Sequence, residues 1–161
     1  MLDHATVAHL QAGSALLIGS VAADGMPHAS RSWGCTVLGV DQAAGTATVR
    51  LVLPGADATL LENLATTGRV SITSADVPTL RSVQMKGRVL RTEAATEADL
   101  AKAAQYSDDF FDDIHRTDGE PLDMLRGWRP AAFAACIVEV DQLFDQTPGP
   151  SAGSTLGARD R

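Results

Sequence analysis

The chain has 161 residues, which is enough for one domain with a single hydrophobic core. Hydrophobic residues make up 45% and charged residues 20%, as in an ordinary globular protein. A net charge of −7 disfavours nucleic acid and anionic membranes as partners, because both require clustered positive charge. A small anionic ligand stays compatible with this charge, since its binding depends on local charge rather than on the total.

The cysteine count and the apolar runs predict the cellular setting. Cys35 and Cys136 are too few for a disulfide framework, and each lies in an apolar stretch, so we expect buried free thiols. No apolar run approaches the ~20 residues of a membrane span. The N-terminus lacks the basic and apolar regions of a signal peptide. We therefore expect a soluble, cytoplasmic protein.

The N-terminal half predicts a helix and then a series of strands. After a helix over Asp3–Ala12, an apolar strand ends at Asp24-Gly25, a dipeptide that fits a two-residue hairpin turn. One strand is predicted over His28–Val40, and a turn follows it. The next strand, Thr46–Leu53, carries Arg50 on the face of its threonines.

A short helix is predicted over Thr59–Thr66, because Thr59 and Glu62 have the spacing of a capping box. Gly68 suits the left-handed position that ends such a helix. A strand over Arg69–Thr73 follows it.

The clearest period of two lies within Thr79–Arg91. One face is apolar, and the other presents a hydroxyl, an amide and two cations: Ser82, Gln84, Lys86 and Arg88. Such a face is either solvated or directed at a ligand, to which it can donate hydrogen bonds. Periodicity alone favours the solvated face.

The C-terminal third predicts three helical segments and one strand. The helices cover Thr96–Gln105, Asp108–Arg116 and Pro121–Gly127, and the apolar strand covers Ala131–Leu143. Six strands with hairpin spacing predict an α+β fold that is mainly antiparallel, with a six-stranded β-barrel. We assign residues 1–144 to this domain and residues 145–161 to a Pro/Gly-rich extended or disordered tail, and we expect the chain beyond residue 148 to be dispensable for folding.

No motif identifies a catalytic residue or a metal site. A nucleophile elbow, a P-loop and a dinucleotide fingerprint are all absent from the sequence. The four histidines are scattered, and the acidic run 108–113 is interpreted as a solvated helix face rather than a metal site. Cations inside strands are the more informative feature, because they lie either at the surface or against a phosphate or carboxylate.

Several segments, in this order, resemble the pyridoxamine 5′-phosphate oxidase-like family of FMN-binding split barrels. They are Asp-Gly-Met-Pro-His-Ala-Ser at 24–30, Val-Arg-Leu-Val-Leu at 49–53, Leu-Leu-Glu-Asn-Leu-Ala-Thr-Thr-Gly-Arg-Val-Ser-Ile at 60–72, and Arg-Ser-Val-Gln-Met-Lys-Gly-Arg-Val at 81–89. The ending Phe-Asp-Gln-Thr-Pro-Gly-Pro at 144–150 is similar to one small bacterial branch.

This resemblance implies a six-stranded Greek-key split barrel that forms a homodimer, with FMN in two clefts at the subunit interface. The flavin ring would rest along strands two and three, and the phosphate would lie near the following helix. Carried over by position, the cofactor-binding residues are Ser30, Arg31, Ser32, Arg50, Leu51, Val52, Thr59, Arg81, Ser82, Gln84 and Lys86.

Two departures argue against vitamin B6 oxidase activity. The oxidase itself has a basic pair after strand three, where this chain reads Asp57-Ala58-Thr59, and its C-terminal Trp/Arg segment is missing here. Arg81 or Lys86 would then supply the missing positive charge. The hypotheses are a flavin-dependent oxidoreductase acting on an unidentified small molecule, a non-catalytic module that binds haem, another heterocycle or a protein partner, and a protein that uses the deazaflavin F420.

Overall fold

A computed structural model describes residues 2–156 of the chain. All the strand pairs are antiparallel, and they form one sheet in the order β2-β1-β5-β6-β7-β4-β3. The elements are α1 (His4–Gln11), β1 (Ala15–Val21), β2 (Pro27–Arg31), β3 (Cys35–Asp41), β4 (Thr46–Pro54), α2 (Ala58–Thr66), β5 (Arg69–Ala75), β6 (Ser82–Ala94), α3 (Glu97–Asp118), α4 (Leu122–Arg126) and β7 (Phe133–Asp145). The prediction of a mainly antiparallel α+β fold is confirmed.

The predicted count of six strands is wrong, because the strand expected over His28–Val40 is two strands. Residues 32–34 separate them and cross from one part of the sheet to another. The N–H of Ser32 donates to the carbonyl of Leu16 in β1 (3.1 Å), and the N–H of Trp33 donates to that of Val52 in β4 (2.7 Å). β2 and β3 are therefore the two edges of the sheet, and within residues 2–156 no strand pairing closes it into a barrel.

α3 is one helix of 22 residues where two segments were predicted. Thr96 and Asp99 form a capping box at its start. The helix continues through Ser107, a buried residue whose hydroxyl donates to the carbonyl one turn earlier (2.6 Å). Phe110 and Phe111 then join the core, and Phe111 packs edge-to-face against Trp33, with ring centroids 6.2 Å apart.

Two local predictions are corrected by the capping and turn geometry. The Asp24-Gly25 turn is a five-residue connection between Val21 and Pro27, and Gly25 takes a positive φ of 90°. The N-cap of α2 is Asp57 rather than Thr59, because the carboxylate of Asp57 accepts the N–H of Leu60 at 3.0 Å. Gly68, with φ of 62°, follows α2 as predicted.

The C-terminal stretch beyond β7 folds back onto the sheet over residues 146–156. Gln146 N–H donates to the carbonyl of Ser82 (2.8 Å), and Leu156 N–H donates to that of Leu143 (2.7 Å). This differs from the extended or disordered arm predicted from composition, because backbone hydrogen bonds and the packing of Leu156 against the core order the segment. Residues 157–161 of the predicted tail lie outside the described residues.

Cys35 and Cys136 are buried free thiols, as predicted. Burial raises the pKa of each to about 12, so neither thiol ionises near neutral pH. None of the helices between residues 2 and 156 combines the length and apolar character that a membrane crossing requires.

Candidate functional site

A cleft of about 790 Å³ opens on the outer face of the sheet, over β2, β1, β5 and β6. Its size lies within the range of small-molecule binding sites, roughly 300–1,000 Å³. The residues that line it include Gly19, His28, Ala29, Arg69, Ser71, Lys86, Arg88 and Asp141.

The floor of the cleft is flat because small side chains stand side by side across three strands. The strand register places Ala29 opposite Gly19, Gly19 opposite Ser71, and Ser71 opposite Lys86. A Cβ atom at Gly19 would meet the hydroxyl of Ser71, which lies over the space that the glycine leaves open. The result is a floor that leaves room for a planar molecule.

One side of the cleft carries three exposed cations, which we call the cation cluster: Arg69, Lys86 and Arg88. Arg69 and Arg88 are direct partners on neighbouring strands, and Lys86 is two residues from Arg88 on the same face. Like charges placed directly opposite each other destabilise a sheet. The pair is therefore unfavourable unless something negative offsets it.

Among the described residues, none forms a hydrogen bond or an ion pair with the charged groups of Arg69, Lys86 and Arg88. Lys86 Nζ lies 4.7 Å from the centre of the Phe144 ring, which is a cation–π contact. On β7, Glu139 is opposite Arg88 and Asp141 lines the cleft, but neither carboxylate lies within 4.0 Å of a cation in the cluster.

A second charged group occupies the N-terminus of α2, beside the cleft. Asp57 accepts from Leu60 N–H and also from Nε2 of His28, at 3.0 and 3.1 Å. Burial would raise the pKa of Asp57, but hydrogen bonds from Ser30, Leu60 and His28 outweigh it and hold that pKa below its usual value. Asp57 therefore remains an anion at neutral pH.

A third charged group, the Arg50 cluster, lies away from the cleft and consists of Arg50, Asp99 and Glu93. The guanidinium forms two hydrogen bonds of 2.6 Å with Asp99 and an ion pair with Glu93. Those hydrogen bonds lower the pKa of Asp99 to about 2, and the two carboxylates raise the pKa of Arg50. This arginine is fully engaged by the protein itself.

The predicted site residues are spread over several environments, and only Lys86 of them lines the cleft. Leu51 and Val52 are in the core, and the hydroxyl of the buried Ser32 donates to the carbonyls of Gly34 and Val52. Five of the remaining predicted residues contact other parts of the protein. Ser30 is beside Asp57, Arg31 lies over the Phe110 ring, and Arg50 binds Asp99. The hydroxyl of Ser82 donates to the carbonyl of Leu80, the side-chain amide of Gln84 donates to the hydroxyl of Thr73, and Thr59 and Arg81 are exposed.

Arg69, Arg88 and His28 were not among the predicted site residues. Arg88 belongs to the alternating face that also holds Lys86, so the period of two was a usable signal for it. For Arg69 the sequence offers no such signal, because its position opposite Arg88 depends on which strands pair and in which register. Among residues 2–156 no group of three His, Cys, Asp or Glu side chains could hold a metal ion.

The fold is similar to that of several solved structures. One is HupZ from Group A Streptococcus, with a TM-score of 0.57, 16% identity and coverage of 95% of this chain and 100% of that one. Another is an F420 reductase, with a TM-score of 0.54, 15% identity and coverage of 88% and 98%. A third is a candidate pyridoxamine 5′-phosphate oxidase from Lactobacillus delbrueckii, with a TM-score of 0.54, 15% identity and coverage of 89% and 93%. No family model and no curated protein matches the sequence.

The chain has the fold of the pyridoxamine 5′-phosphate oxidase-like proteins. The predicted resemblance to that family is confirmed at the level of the fold, which the matched structures share over most of their length.

Proposed function

We propose that this protein binds a flavin-class cofactor, FMN in the first place, in the cation-lined cleft, and that it is a flavin-dependent oxidoreductase acting on a small molecule. The observation that carries the proposal is the cation cluster beside a flat floor. Three unpaired cations meet at one cleft in a chain of net charge −7. A phosphate group offsets such a cluster, and a planar ring fits the small side chains next to it.

The residues of the cleft fit the parts of FMN. Gly19, Ala29 and Ser71 leave space for the ring over the sheet, and Ser71 adds a hydroxyl donor. Arg69 and Arg88 supply guanidinium groups, which bind phosphate through paired N–H donors. Bound flavin supplies the hydride-transfer chemistry, while the protein binds and orients it.

The deazaflavin F420 is a second candidate, and the similarity to an F420 reductase favours it. It shares with FMN a planar ring system and an anionic chain, so the same cleft chemistry applies to both. Haem is a third candidate, because its carboxylates can pair with the cations of the cleft. Its absorption spectrum distinguishes it from FMN and from F420.

We further propose that the protein forms a homodimer that covers the cleft. Leu17 lies on the same outer face of β1, two residues from Gly19, and half of its surface is exposed. A second copy packed on this face would remove Leu17 from water and enclose the bound ring. We expect a dimer mass in light scattering at micromolar concentration, and a monomer mass would contradict this arrangement.

The proposed cofactor is tested first by the visible spectrum of the purified protein and then by titration. We expect twin flavin bands or, for protein purified without cofactor, quenching of FMN fluorescence on addition. A Soret band would instead indicate haem.

Lys86→Met should weaken FMN binding about ten- to a hundred-fold, the scale of a lost hydrogen bond to a charged group. Arg126→Met is the matched control, because Arg126 is an exposed cation on α4 that pairs with Asp123 outside the cleft. Equal affinities of wild type, Lys86→Met and the control would contradict binding at the cation cluster.

A further inference from the structure

We infer that the end of β7 is a strand-addition site whose occupant is exchangeable between copies of this chain. The C-terminal segment, residues 153–156, occupies the site in the structure, and the same segment of a second copy can take its place. Residues 146–152 form the hinge between β7 and this segment. Occupation of the site requires no bound cofactor, so it is independent of the proposed function.

β7 extends beyond its neighbour β4, and this leaves one side of its end open to another strand. β4 pairs with β7 from Phe133 to Val140. On the other side of β7, β6 continues to pair as far as Asp145. The backbone groups beyond Val140 that point away from β6 therefore need partners from outside the β4–β7 ladder.

The C-terminal segment supplies those partners by running antiparallel to the end of β7. The N–H of Leu156 donates to the carbonyl of Leu143 (2.7 Å), and the N–H of Asp145 donates to the carbonyl of Ser154 (2.9 Å). The side chain of Leu156 also packs against the core. Main-chain hydrogen bonds together with one seated side chain are the way in which an extended peptide adds to a sheet edge.

The contacts that hold the C-terminal segment are few. Residues 153–155 are exposed, so Leu156 supplies the apolar contact of the segment with the core. Backbone hydrogen bonds of an exposed segment add little net stability, because water replaces them when the segment leaves. The segment should therefore open far more readily than the core strands.

The hinge can carry the C-terminal segment to a neighbouring molecule. Pro148 and Pro150 each bias the preceding residue toward extended backbone, which favours a straightened hinge. Fully extended, residues 146–152 would span up to about 25 Å. The segment would form the same contacts on a second copy, because both the segment and the edge are identical in every copy.

The carboxylate of Asp145 keeps the hinge turned back onto its own chain. It accepts the N–H of Thr147 (2.8 Å) and the hydroxyl of Ser151 (3.1 Å). Neither contact involves residues 153–156. Loss of this carboxylate should therefore release the hinge and leave the strand-addition site itself intact.

Disulfide trapping in the full chain tests the exchange. Phe144 and Thr155 are opposite each other in a non-hydrogen-bonded antiparallel pair, in which Cα atoms lie about 4.5 Å apart. Phe144→Cys/Thr155→Cys can therefore form a disulfide. A disulfide within one chain reports the closed segment, and a disulfide between chains reports exchange. Cys35 and Cys136 are buried and do not compete.

The matched control is Phe144→Cys/Ser154→Cys, which has the same number of added thiols but directs one of them to the opposite face. A short linker gives an effective concentration in the millimolar range. We therefore expect chain-to-chain disulfides of the Phe144→Cys/Thr155→Cys protein to be rare at about 10 μM and comparable with internal ones at about 1 mM. Adding Asp145→Ala should raise the chain-to-chain fraction at both concentrations.

Two results on non-reducing gels would overturn the inference. One is a disulfide that forms only within the chain at every concentration, with and without Asp145→Ala. The other is an equal fraction of chain-to-chain disulfides in the test pair and in the control pair, which would indicate random collisions. Either result would leave the proposed cofactor site unaffected.

Discussion

Two groups of arginines on the same sheet differ in every respect that decides their role. Arg50 lies between Asp99 and Glu93 with 16% of its side chain exposed. Arg69 and Arg88 are exposed, face each other, and have no carboxylate partner within 4.0 Å among the described residues. An arginine inside a strand is therefore not evidence of a ligand site by itself, and its charge partners decide whether it stabilises the fold or stays available to a ligand.

The first turn of α3 explains why Arg50 is engaged. Asp99 is held there by the capping box with Thr96, and only 6% of its side chain is exposed. The pairing of β6 with β7 and of β7 with β4 brings Glu93 to the same arginine. Among residues 2–156, no helix brings a carboxylate within 4.0 Å of Arg69, Lys86 or Arg88 on the outer face of β5 and β6.

The largest effect should come from breaking the Arg50 cluster. Arg50→Met leaves the nearly buried carboxylate of Asp99 without its cation, so the free energy of unfolding should fall by about 3 kcal/mol. Urea denaturation measures this change, and Arg88→Met is the control because it removes an arginine without a carboxylate partner. Equal losses in the two variants would remove the distinction between the two groups of arginines.

Acid should weaken the Arg50 cluster next. The pKa of Asp99 is lowered to about 2 in the folded protein, below the usual value of 3.8, so its stabilisation is present above pH 4 and is lost as the pH falls toward 2. The contribution is on the order of 2 kcal/mol. Wild type should therefore lose more stability than Asp99→Asn between pH 4 and pH 2. Parallel pH profiles would show that Asp99 does not contribute in this way.

The smallest expected change in the free energy of unfolding is that of Arg88→Met, and it is opposite in sign to the loss expected for Arg50→Met. Arg88→Met relieves the repulsion between Arg88 and Arg69, so it should leave the free energy of unfolding unchanged or raise it by about 0.5 kcal/mol at low salt. Added salt should erase the gain, because it screens exposed charges. Thermal unfolding at low and high ionic strength measures the difference. A clear loss of stability would mean that Arg88 has a structural role.

Much of the fold could be predicted because it follows from local patterns. The alternation in β6 correctly placed Val83 and Met85 in the core and Lys86 and Arg88 outside. The division of one predicted strand at residues 32–34 could not be predicted, because it depends on hydrogen bonds to β1 and β4.

The cleft was less predictable than the fold, because its residues are brought together by contacts between distant parts of the sequence. Arg69 and Arg88 are 19 positions apart, and only the register of β5 with β6 makes them neighbours. The roles of Arg50 and Asp57 likewise depend on distant partners, Asp99 and His28. Residue type and spacing identified Arg50, Lys86 and Arg88 as cations within strands. They identified neither Arg69 nor which of these cations the protein neutralises itself.

The dependence of FMN affinity on ionic strength tests the central claim most directly. If the unpaired cations hold the phosphate, the dissociation constant of wild type should rise steeply between about 50 and 300 mM salt, because screening weakens exposed charge pairs. The Arg69→Met/Arg88→Met double variant should bind more weakly at low salt and show a much flatter dependence. Identical salt dependences in the two proteins would contradict the account.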